Sequence, residues 1–377
     1  MKYQTCKRCI MDSSDPLISF DENGFCNYCN YFFEVSQNHW FPDSSGKEKL
    51  DSMIDKLKAS GQGKEYDAIL GLSGGIDSSY LALKSKEWGL RLLVVHVDGG
   101  WNSESAVSNI EKLVDFCGYE LFTRVIDWNE MRDLQLSYLK AGVSNQDVPQ
   151  DHAYFAALYK FATKNRVPTI LSGGNIATEG IAPDWMFDPL DSANLSAIHK
   201  AYGRVRLKSF PKVTFFQRYA WFPFYYKMQV LRPLNFLPYA KSKALSELQA
   251  SVGWSDYGRK HGESHFTKFY QNYYLPQRYG YDKRRPHLSS LIVSGQISRS
   301  EAVRQMEEPL YRDDELRKDL EYVSSKLRLS VSELEELVQL PVAEHSAYAN
   351  QARLYRLMKR TQGLVERLLG KTIKIYS

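Results

Sequence analysis

The stretch Leu70-Gly-Leu-Ser-Gly-Gly-Ile-Asp-Ser-Ser79 decides the fold. An apolar, β-prone run, Tyr66-Asp-Ala-Ile-Leu70, leads into it, and a helical pattern, Tyr80-Leu-Ala-Leu-Lys-Ser-Lys-Glu-Trp88, leads out. A strand, a Ser/Gly turn and a helix N-terminus together make an anion site. The glycines let a ligand approach the backbone, and the first free N–H groups of the helix point at it. Ser73, Ser78 and Ser79 add hydroxyl donors. The loop lacks a Gly-Lys-Ser/Thr ending, so it is not the Lys-bearing phosphate loop. The plainer reading is a Ser/Gly helix cap in an ordinary α/β domain.

Outward from this loop the pattern is β-α-β-α. Residues 90–97 read as a second, nearly all-apolar strand, as a parallel sheet requires. Residues 105–117 are helical, 120–126 form a third strand, 151–165 another helix and 167–171 a short strand. This order predicts an α/β fold with a Rossmann-like, doubly wound, mostly parallel sheet. Ligands of such sheets lie beyond the carboxyl ends of the strands. Asp98, at the end of the second strand, is therefore either a contact for the adenosine of a nucleotide or a turn residue before Gly99. His96 alternates within an apolar strand and reads as a packed histidine, and Cys117 as a small core residue.

Upstream, Cys6-Lys-Arg-Cys9 is separated by sixteen residues from Cys26-Asn-Tyr-Cys29. Two such knuckles supply four thiolates to one tetrahedral, structural Zn²⁺, with Cys6, Cys9, Cys26 and Cys29 as ligands. Gly24 suits the tight turn before the second pair. The segment between the pairs is too small to fold without a cross-link. Residues 42–46 read as a linker. Residues 47–60 read as an amphipathic helix with Leu50, Met53, Ile54 and Leu57 on one face.

Across its 377 residues the chain has room for two domains and an accessory module. We divide it into a zinc-knuckle module (1–41), a nucleotide-binding core (42–190), a basic and aromatic region completing the site (191–290) and a helical C-terminal region (291–377). No apolar run approaches the roughly 18 residues of a membrane span, and Met1–Thr5 leads straight into the cysteine motif rather than a signal peptide. With five cysteines and no disulfide framework, a cytoplasmic location is expected. The net charge of +5 is too mild to imply nucleic-acid binding by itself.

Charge distribution says more. From Ser192 to Ser246 there is no Asp or Glu, while ten Lys and Arg residues fall in that window, interleaved with Thr214-Phe-Phe-Gln-Arg-Tyr-Ala-Trp-Phe-Pro-Phe-Tyr-Tyr226. Such a stretch contacts an anion or a protein partner, or is a helical insertion whose aromatics form its own core. A dense polar segment follows, Trp254-Ser-Asp-Tyr-Gly-Arg-Lys-His-Gly-Glu-Ser-His-Phe-Thr-Lys268, continuing to Tyr279-Gly-Tyr-Asp-Lys-Arg-Arg-Pro-His287. Lys260 and Lys268 suit negative charge developing on phosphate or a tetrahedral intermediate, and Glu263 and His265 metal binding or proton relay. Lys241 to Val252 is an amphipathic helix. The remainder reads as helices at 299–307, 313–327, 331–340 and 348–369, with Ser330-Val-Ser-Glu333 as a cap start.

The order Ser73-Gly-Gly-Ile-Asp-Ser78 resembles the pyrophosphate loop of the PP-loop ATP pyrophosphatases, the adenine nucleotide alpha hydrolase-like fold. The four-Cys knuckle, that loop, Tyr257–Lys268 and Asp282-Lys-Arg-Arg285 together resemble the N-acetyl sugar amidotransferases of bacterial O-antigen and other surface-polysaccharide pathways. The first resemblance implies ATP cleavage to AMP and pyrophosphate, with Ser73, Gly74, Gly75, Asp77, Ser78 and Ser79 around the phosphates and Asp77 catalytic. It also implies a second Gly-rich turn near ATP and Mg²⁺, here Gly173, Gly174, Asn175 and Glu179, with Asp77 or Glu179 on the metal.

The second resemblance implies a carbon–nitrogen ligase that turns an acetamido group of a nucleotide sugar into an acetamidino group, by O-adenylation and attack of ammonia. The sugar is a UDP-linked 2,3-diacetamido uronic acid or a CMP-linked nonulosonic acid of the pseudaminic or legionaminic type. The chain shows no glutaminase module, so ammonia is expected from separate glutaminase and cyclase-like subunits resembling the histidine-pathway synthase. Two rivals stand beside this reading. A tRNA-thiolating PP-loop enzyme would want a reactive cysteine, and a non-catalytic ATP-binding scaffold would release no pyrophosphate.

Overall fold

The computed structural model of the chain describes residues 3–183, 185–257 and 262–369. Five strands, β1 (Ala68–Gly71), β2 (Leu92–Asp98), β3 (Glu120–Val125), β4 (Thr169–Leu171) and β5 (Gln229–Leu231), form one sheet in the order β3-β2-β1-β4-β5. Every neighbouring pair is parallel. The chain steps from β1 outward to β2 and β3, then returns to the other side of β1 for β4. The order therefore reverses between β1 and β4, which opens a crevice at their carboxyl ends.

Alternation along the strands covers both faces. Leu70, Leu92 and Val94 face one core, packed by α2 (Ser44–Ser60), α3 (Ile76–Glu87), α4 (Glu104–Cys117) and α9 (Lys241–Val252). Ile69, Leu93 and Val95 face the other, packed by α6 (Val148–Lys164) and by Val213, Phe222 and Met228. The sheet is thus doubly wound, as the pattern predicts. Helix α2 buries the expected stripe of Leu50, Ile54 and Leu57.

Four further helices complete the first two-thirds of the chain: α1 (Asn27–Glu34) in the cysteine module, α5 (Trp128–Ala141), α7 (Ile176–Glu179) and α8 (Ser192–Tyr202). Toward the C-terminus lie α10 (His265–Phe269), α11 (Leu275–Tyr279), α12 (Arg284–Val293), α13 (Arg299–Glu307), α14 (Asp313–Leu327), α15 (Val331–Gln339) and α16 (Ala352–Leu369). Phe266, Phe269, Tyr270 and Tyr274 pack between Trp101 of the sheet domain and Leu320, Val323 and Leu334 of α14 and α15. The C-terminal helices therefore back the polar 254–287 segment.

The acid-free window is built into this frame rather than set apart from it. It contains α8, a π-helical turn at Gln217–Tyr225 and β5, so the sheet extends into the 191–290 segment. Acids from outside the window hold it. The Glu130 carboxylate accepts N–H groups from Lys208 (2.8 Å), Ser209 (3.0 Å) and Phe210 (2.6 Å), and Asp133 accepts those of Arg204 (2.9 Å) and Val205 (3.0 Å). Its aromatics divide: Tyr219 and Phe222 are buried, whereas Phe216, Trp221, Phe224 and Tyr225 are exposed. Among the described residues, no helix is long and apolar enough to cross a membrane.

Candidate active site

The loop after β1 folds as its sequence requires. Gly74 sits at φ +88°, a left-handed conformation that glycine adopts without strain. Gly75 is the N-cap of α3, and no side chain caps that helix, so its first-turn N–H groups face the crevice. Ser73 and Ser78 brace the loop across its mouth, hydroxyl to hydroxyl at 3.1 Å, and the Ser73 Oγ accepts the Gly75 N–H at 3.3 Å. The turn after β4 presses against it: a Cβ on Gly173 would stand 2.6 Å from the Ser78 nitrogen and 2.8 Å from the Asp77 carbonyl carbon.

A cleft of about 730 Å³ opens over these two turns. Of the sequence-predicted residues, Ser73, Gly75, Asp77, Ser78, Gly173, Gly174, Asn175 and Glu179 line it. Gly74 belongs to the loop, and its carbonyl accepts the Tyr257 hydroxyl at 2.7 Å. Asn175 caps α7 by accepting the Thr178 N–H at 3.0 Å, which sets Glu179 one turn further on.

Three predicted residues are placed elsewhere. Ser79 is buried on the core side of α3, behind the loop. Asp98 is not among the residues lining the cleft, though Gly99 and Asn102 are; its Oδ1 accepts the Gly100 N–H (2.8 Å) and the Asn102 side chain (3.2 Å), the contacts of a turn residue. Lys268 does not line the cleft either. Its ammonium lies 2.7 Å from Glu315 and 2.8 Å from Asp319 of α14, an ion pair that ties α10 to the C-terminal helices. Lys260 lies outside the described residues.

His96 is the packed histidine the pattern predicts: Nδ1 donates to the Leu72 carbonyl (2.8 Å) and Nε2 accepts from Asn102 (3.0 Å). Glu263 lines the cleft, and its Oε1 would lie 3.5 Å from a Cβ on Gly75. His265 instead packs against Tyr322 with ring centroids 4.2 Å apart. Cys117 is 8 % exposed, lies against the Ala82 carbonyl, and has its thiol pushed up to about 11 by burial. It does not line the cleft, so it is a poor sulfur carrier.

Several contributors were not legible locally. Tyr239 donates its hydroxyl to Asp77 Oδ1 and fixes that carboxylate; burial, then the Asp77 charge, pushes its own ionisation far up. Tyr257, held by Asn109 at 2.9 Å, covers the loop from the segment after α9. Lys283 and His287 line the opposite wall, whereas their neighbours Arg284 and Arg285 pair with Asp282 and Asp12. Asp147 enters from the residue before α6, Gln150 and Asp151 from its first turn, and Tyr270 from the segment after α10. Only the density of polar and aromatic residues in 254–287 signalled any of these.

The second predicted centre is formed as a four-cysteine cluster. The sulfurs of Cys6, Cys9, Cys26 and Cys29 all lie within 4.8 Å of one another and are buried. The Cys6–Cys29 and Cys9–Cys26 separations, 4.0 and 3.7 Å, fit a tetrahedral Zn²⁺, whose ~2.3 Å bonds put sulfurs roughly 3.8 Å apart. Backbone N–H groups point at the sulfurs, Cys26 to Cys6 at 3.2 Å among them. Gly24 takes φ +80° in the turn before the second pair, as expected. Among the described residues, this is the one group of three or more Cys, His, Asp or Glu side chains able to hold a metal.

The sheet order, with the Ser-Gly-Gly-x-Asp-Ser loop at the reversal point and the second glycine turn beside it, defines a doubly wound parallel α/β fold with an anion-binding loop at its switch point. Residues 263–362 match the family model described as the LPS biosynthesis protein WbpG-like C-terminal domain. This segment supplies Lys283, His287 and Tyr270 to the cleft. Among solved structures, the chain is similar to NMN synthetase from Francisella tularensis, at 15% identity over 72% of this chain and 100% of that one, TM-score 0.35. It is also similar to the NH3-dependent NAD synthetase from Campylobacter jejuni, at 16% identity over 41% and 72%, TM-score 0.28. A third is a 4-thiouridine synthetase in complex with RNA and bound ATP, at 16% identity over 72% and 52%, TM-score 0.29. No curated protein matches the chain.

Proposed function

We propose that the protein is an ATP-dependent N-acetyl sugar amidotransferase of LPS O-antigen biosynthesis. It converts an acetamido group of a nucleotide-activated sugar, a UDP-linked 2,3-diacetamido uronic acid, into an acetamidino group. The observation that carries the reading is the composition of the cleft. One wall is a PP-loop with an uncapped helix N-terminus, and the other comes from the segment that matches an LPS-biosynthesis domain.

An amide carbonyl is a poor electrophile, and its oxygen leaves poorly. Transfer of the adenylyl group of ATP to that oxygen, with release of pyrophosphate, corrects both. Ammonia then attacks the carbon and AMP departs. The first-turn N–H groups of α3 and the Ser73 and Ser78 hydroxyls hold pyrophosphate as charge develops on it. Asp77, oriented by Tyr239, and Glu179 are the oxygen donors that would hold Mg²⁺, which neutralises phosphate charge when bound. Arg232 and Lys283, both lining the cleft, suit the phosphates of the sugar nucleotide. In this reading ammonia comes from separate glutaminase and cyclase-like subunits, and the exposed Phe216, Trp221, Phe224 and Tyr225 beside basic residues offer them a surface.

The test is incubation with ATP, Mg²⁺, ammonium and diacetamido sugars linked to UDP or CMP, read by mass spectrometry. The expected product is about one mass unit lighter, since NH replaces O. Absence of that product from every acetamido sugar, together with thiolation of tRNA, overturns the proposal in favour of its rival. Formation of the product only on a CMP-linked nonulosonic acid redirects the substrate assignment.

A further inference from the structure

The C-terminal helices carry two surfaces of opposite charge, both outside the cleft. Between Asp313 and Leu340, the stretch that holds α14 and α15, the sequence has eight acidic residues against four basic ones. Lys268 takes two of the acids, Glu315 and Asp319. Leu316, Leu320 and Val331 form the floor of a groove of about 380 Å³ between these helices, and Asp313, Glu321 and Glu335 edge it. Arg317 also lines the groove and pairs with Glu321 at 3.3 Å, but both side chains are exposed, so that pair is weak.

Helix α16 has the complementary surface. From Ala352 to Ser377 the sequence has seven Lys or Arg and one acid, Glu366, so this segment carries more positive charge than the net +5 of the whole chain. One side of α16 is anchored. Tyr355 packs on Tyr219 with ring centroids 5.9 Å apart, and Gln351, just before the helix, donates its backbone N–H to Asp191 at 2.7 Å. Another side is open. Leu354, Leu357 and Leu364 form a row at helical spacing and stand 53, 60 and 59 % exposed. Arg353, Arg356 and Arg360, all exposed, form the neighbouring row. A continuous apolar row left open beside one sign of charge marks an interaction face.

Charge and area identify what covers it. A second α16 laid against the first would bring arginines against arginines. The α14/α15 groove offers an apolar floor with an acidic rim, which matches the leucine and arginine rows of α16 in both respects. We propose that the chain forms a two-fold dimer in which α16 of each copy lies in the α14/α15 groove of the other. The leucine row of α16 covers Leu316, Leu320 and Val331, and its arginines stand beside Asp313, Glu321 and Glu335. With 18 residues, α16 is about 27 Å long and roughly 10 Å across, a footprint of about 270 Å². Made twice in a closed exchange and counted on both partners, the contact covers about 1,100 Å². That area is at the lower bound of specific interfaces, so the dimer is weak and depends on its charges.

The experiment is sedimentation velocity of the full-length chain at about 50 mM and about 500 mM salt. Wild type should dimerise in the micromolar range at the lower salt and weaken by about tenfold or more at the higher. Arg353→Glu with Arg356→Glu and Arg360→Glu reverses the helix, and Glu321→Lys with Glu335→Lys reverses the groove. Each variant alone should be monomeric. An equimolar mixture should dimerise again, because the acidic helix meets the basic groove while the second contact keeps its native pair. Recovery in the mixture also shows that both variants fold. A wild type that stays monomeric up to about 100 μM overturns the dimer. A helix variant that still dimerises alone, or a mixture of folded variants that stays monomeric, overturns the pairing of the two surfaces. A monomeric wild type that sediments with vesicles of phosphatidylcholine and phosphatidylglycerol at about 3:1 overturns it in favour of a membrane surface for α16.

Discussion

Gly173→Ala tests whether the two glycine turns act as one anion site. The added Cβ would meet backbone on both near sides, Ser78 N at 2.6 Å and the Asp77 carbonyl carbon at 2.8 Å, with no flexible side chain to yield. Ordinary contact begins near 3.4 Å, so β4 and the first turn of α3 must part by about 0.6–0.8 Å. Overpacking of that size costs about 1–3 kcal/mol, which a thermal melt reads as a loss of a few degrees. It also displaces the Ser78 N–H from the departing pyrophosphate, and displacements near 1 Å at a reacting centre cost about 10²-fold in rate. Gly174→Ala is the matched control. There the nearest atoms are Ser172 Oγ at 3.4 Å and Glu179 Oε2 at 3.7 Å, and the turn should accept a methyl. The assay is pyrophosphate release alongside ATP affinity by calorimetry. Equal behaviour of the two variants, whether both active or both impaired, refutes the packing argument.

Two further outcomes follow from the same geometry. Cys6→Ser should lower zinc content from about one per chain and reduce the melting temperature, and hydrogen exchange should rise in α12 and α13, because Arg285 of α12 binds the Ile10 carbonyl and Arg299 of α13 those of Cys6 and Cys9; unchanged exchange in both helices would show that the module docks without the metal. Glu130→Gln should destabilise the protein by about 1–3 kcal/mol at neutral pH. Burial works to raise the Glu130 carboxyl, but the N–H groups of Ser209, Lys208 and Phe210 outweigh it and hold it below the usual range. The wild-type contribution is therefore fully present above the unfolded value near 4.3 and is lost as pH falls through the lower folded value. Acid titration of stability by circular dichroism should show a shallower limb in the variant, and parallel limbs would count against the clamp.

What was legible in the sequence was local. The helices at 241–252, 299–307 and 313–327 form with those bounds, and Ser330 and Glu333 close the expected capping box, because cap and periodicity lie within one turn of each other. Helix α5 carries no clean apolar stripe, since its buried face includes Glu130, Asp133, Gln135 and Ser137. Two of those acids are buried in order to accept backbone N–H groups some 70–80 residues away, a partner no local pattern reveals. Strand β5, Gln229-Val-Leu231, is flanked by Lys227 and Arg232 and has no apolar run around it to announce it, unlike the equally short β4. The choice among lysines was equally non-local. Lys268 and Lys283 stand in similar polar surroundings along the chain, yet acids of α14 claim the first and the fold turns the second into the cleft.

The cysteine module bears on the placement of Glu179 through two packed helices. Glu179 ends α7, a helix of four residues too short to hold its own position. On one side Phe32 of α1 packs so closely that a Cβ on Gly180 would lie 2.6 Å from its ring. On the other, Ser290 of α12 accepts the Ile181 N–H (2.9 Å), and Ser294, the residue that caps α12 at its C-terminus, donates to the Ala177 carbonyl (2.7 Å). Helix α1 is capped at its N-terminus by Cys26 and contains Cys29, so the cluster sets its position. Helix α12 is tied to the same module through Arg285, which pairs with Asp12 at 2.8 Å and donates to the Ile10 carbonyl at 3.1 Å. The module, α7 and α12 thus close a ring of contacts around one carboxylate of the cleft. In a closed ring of this kind loosening any member releases the other two, so a metal held by the four cysteines would bear on the cleft by setting the position of Glu179.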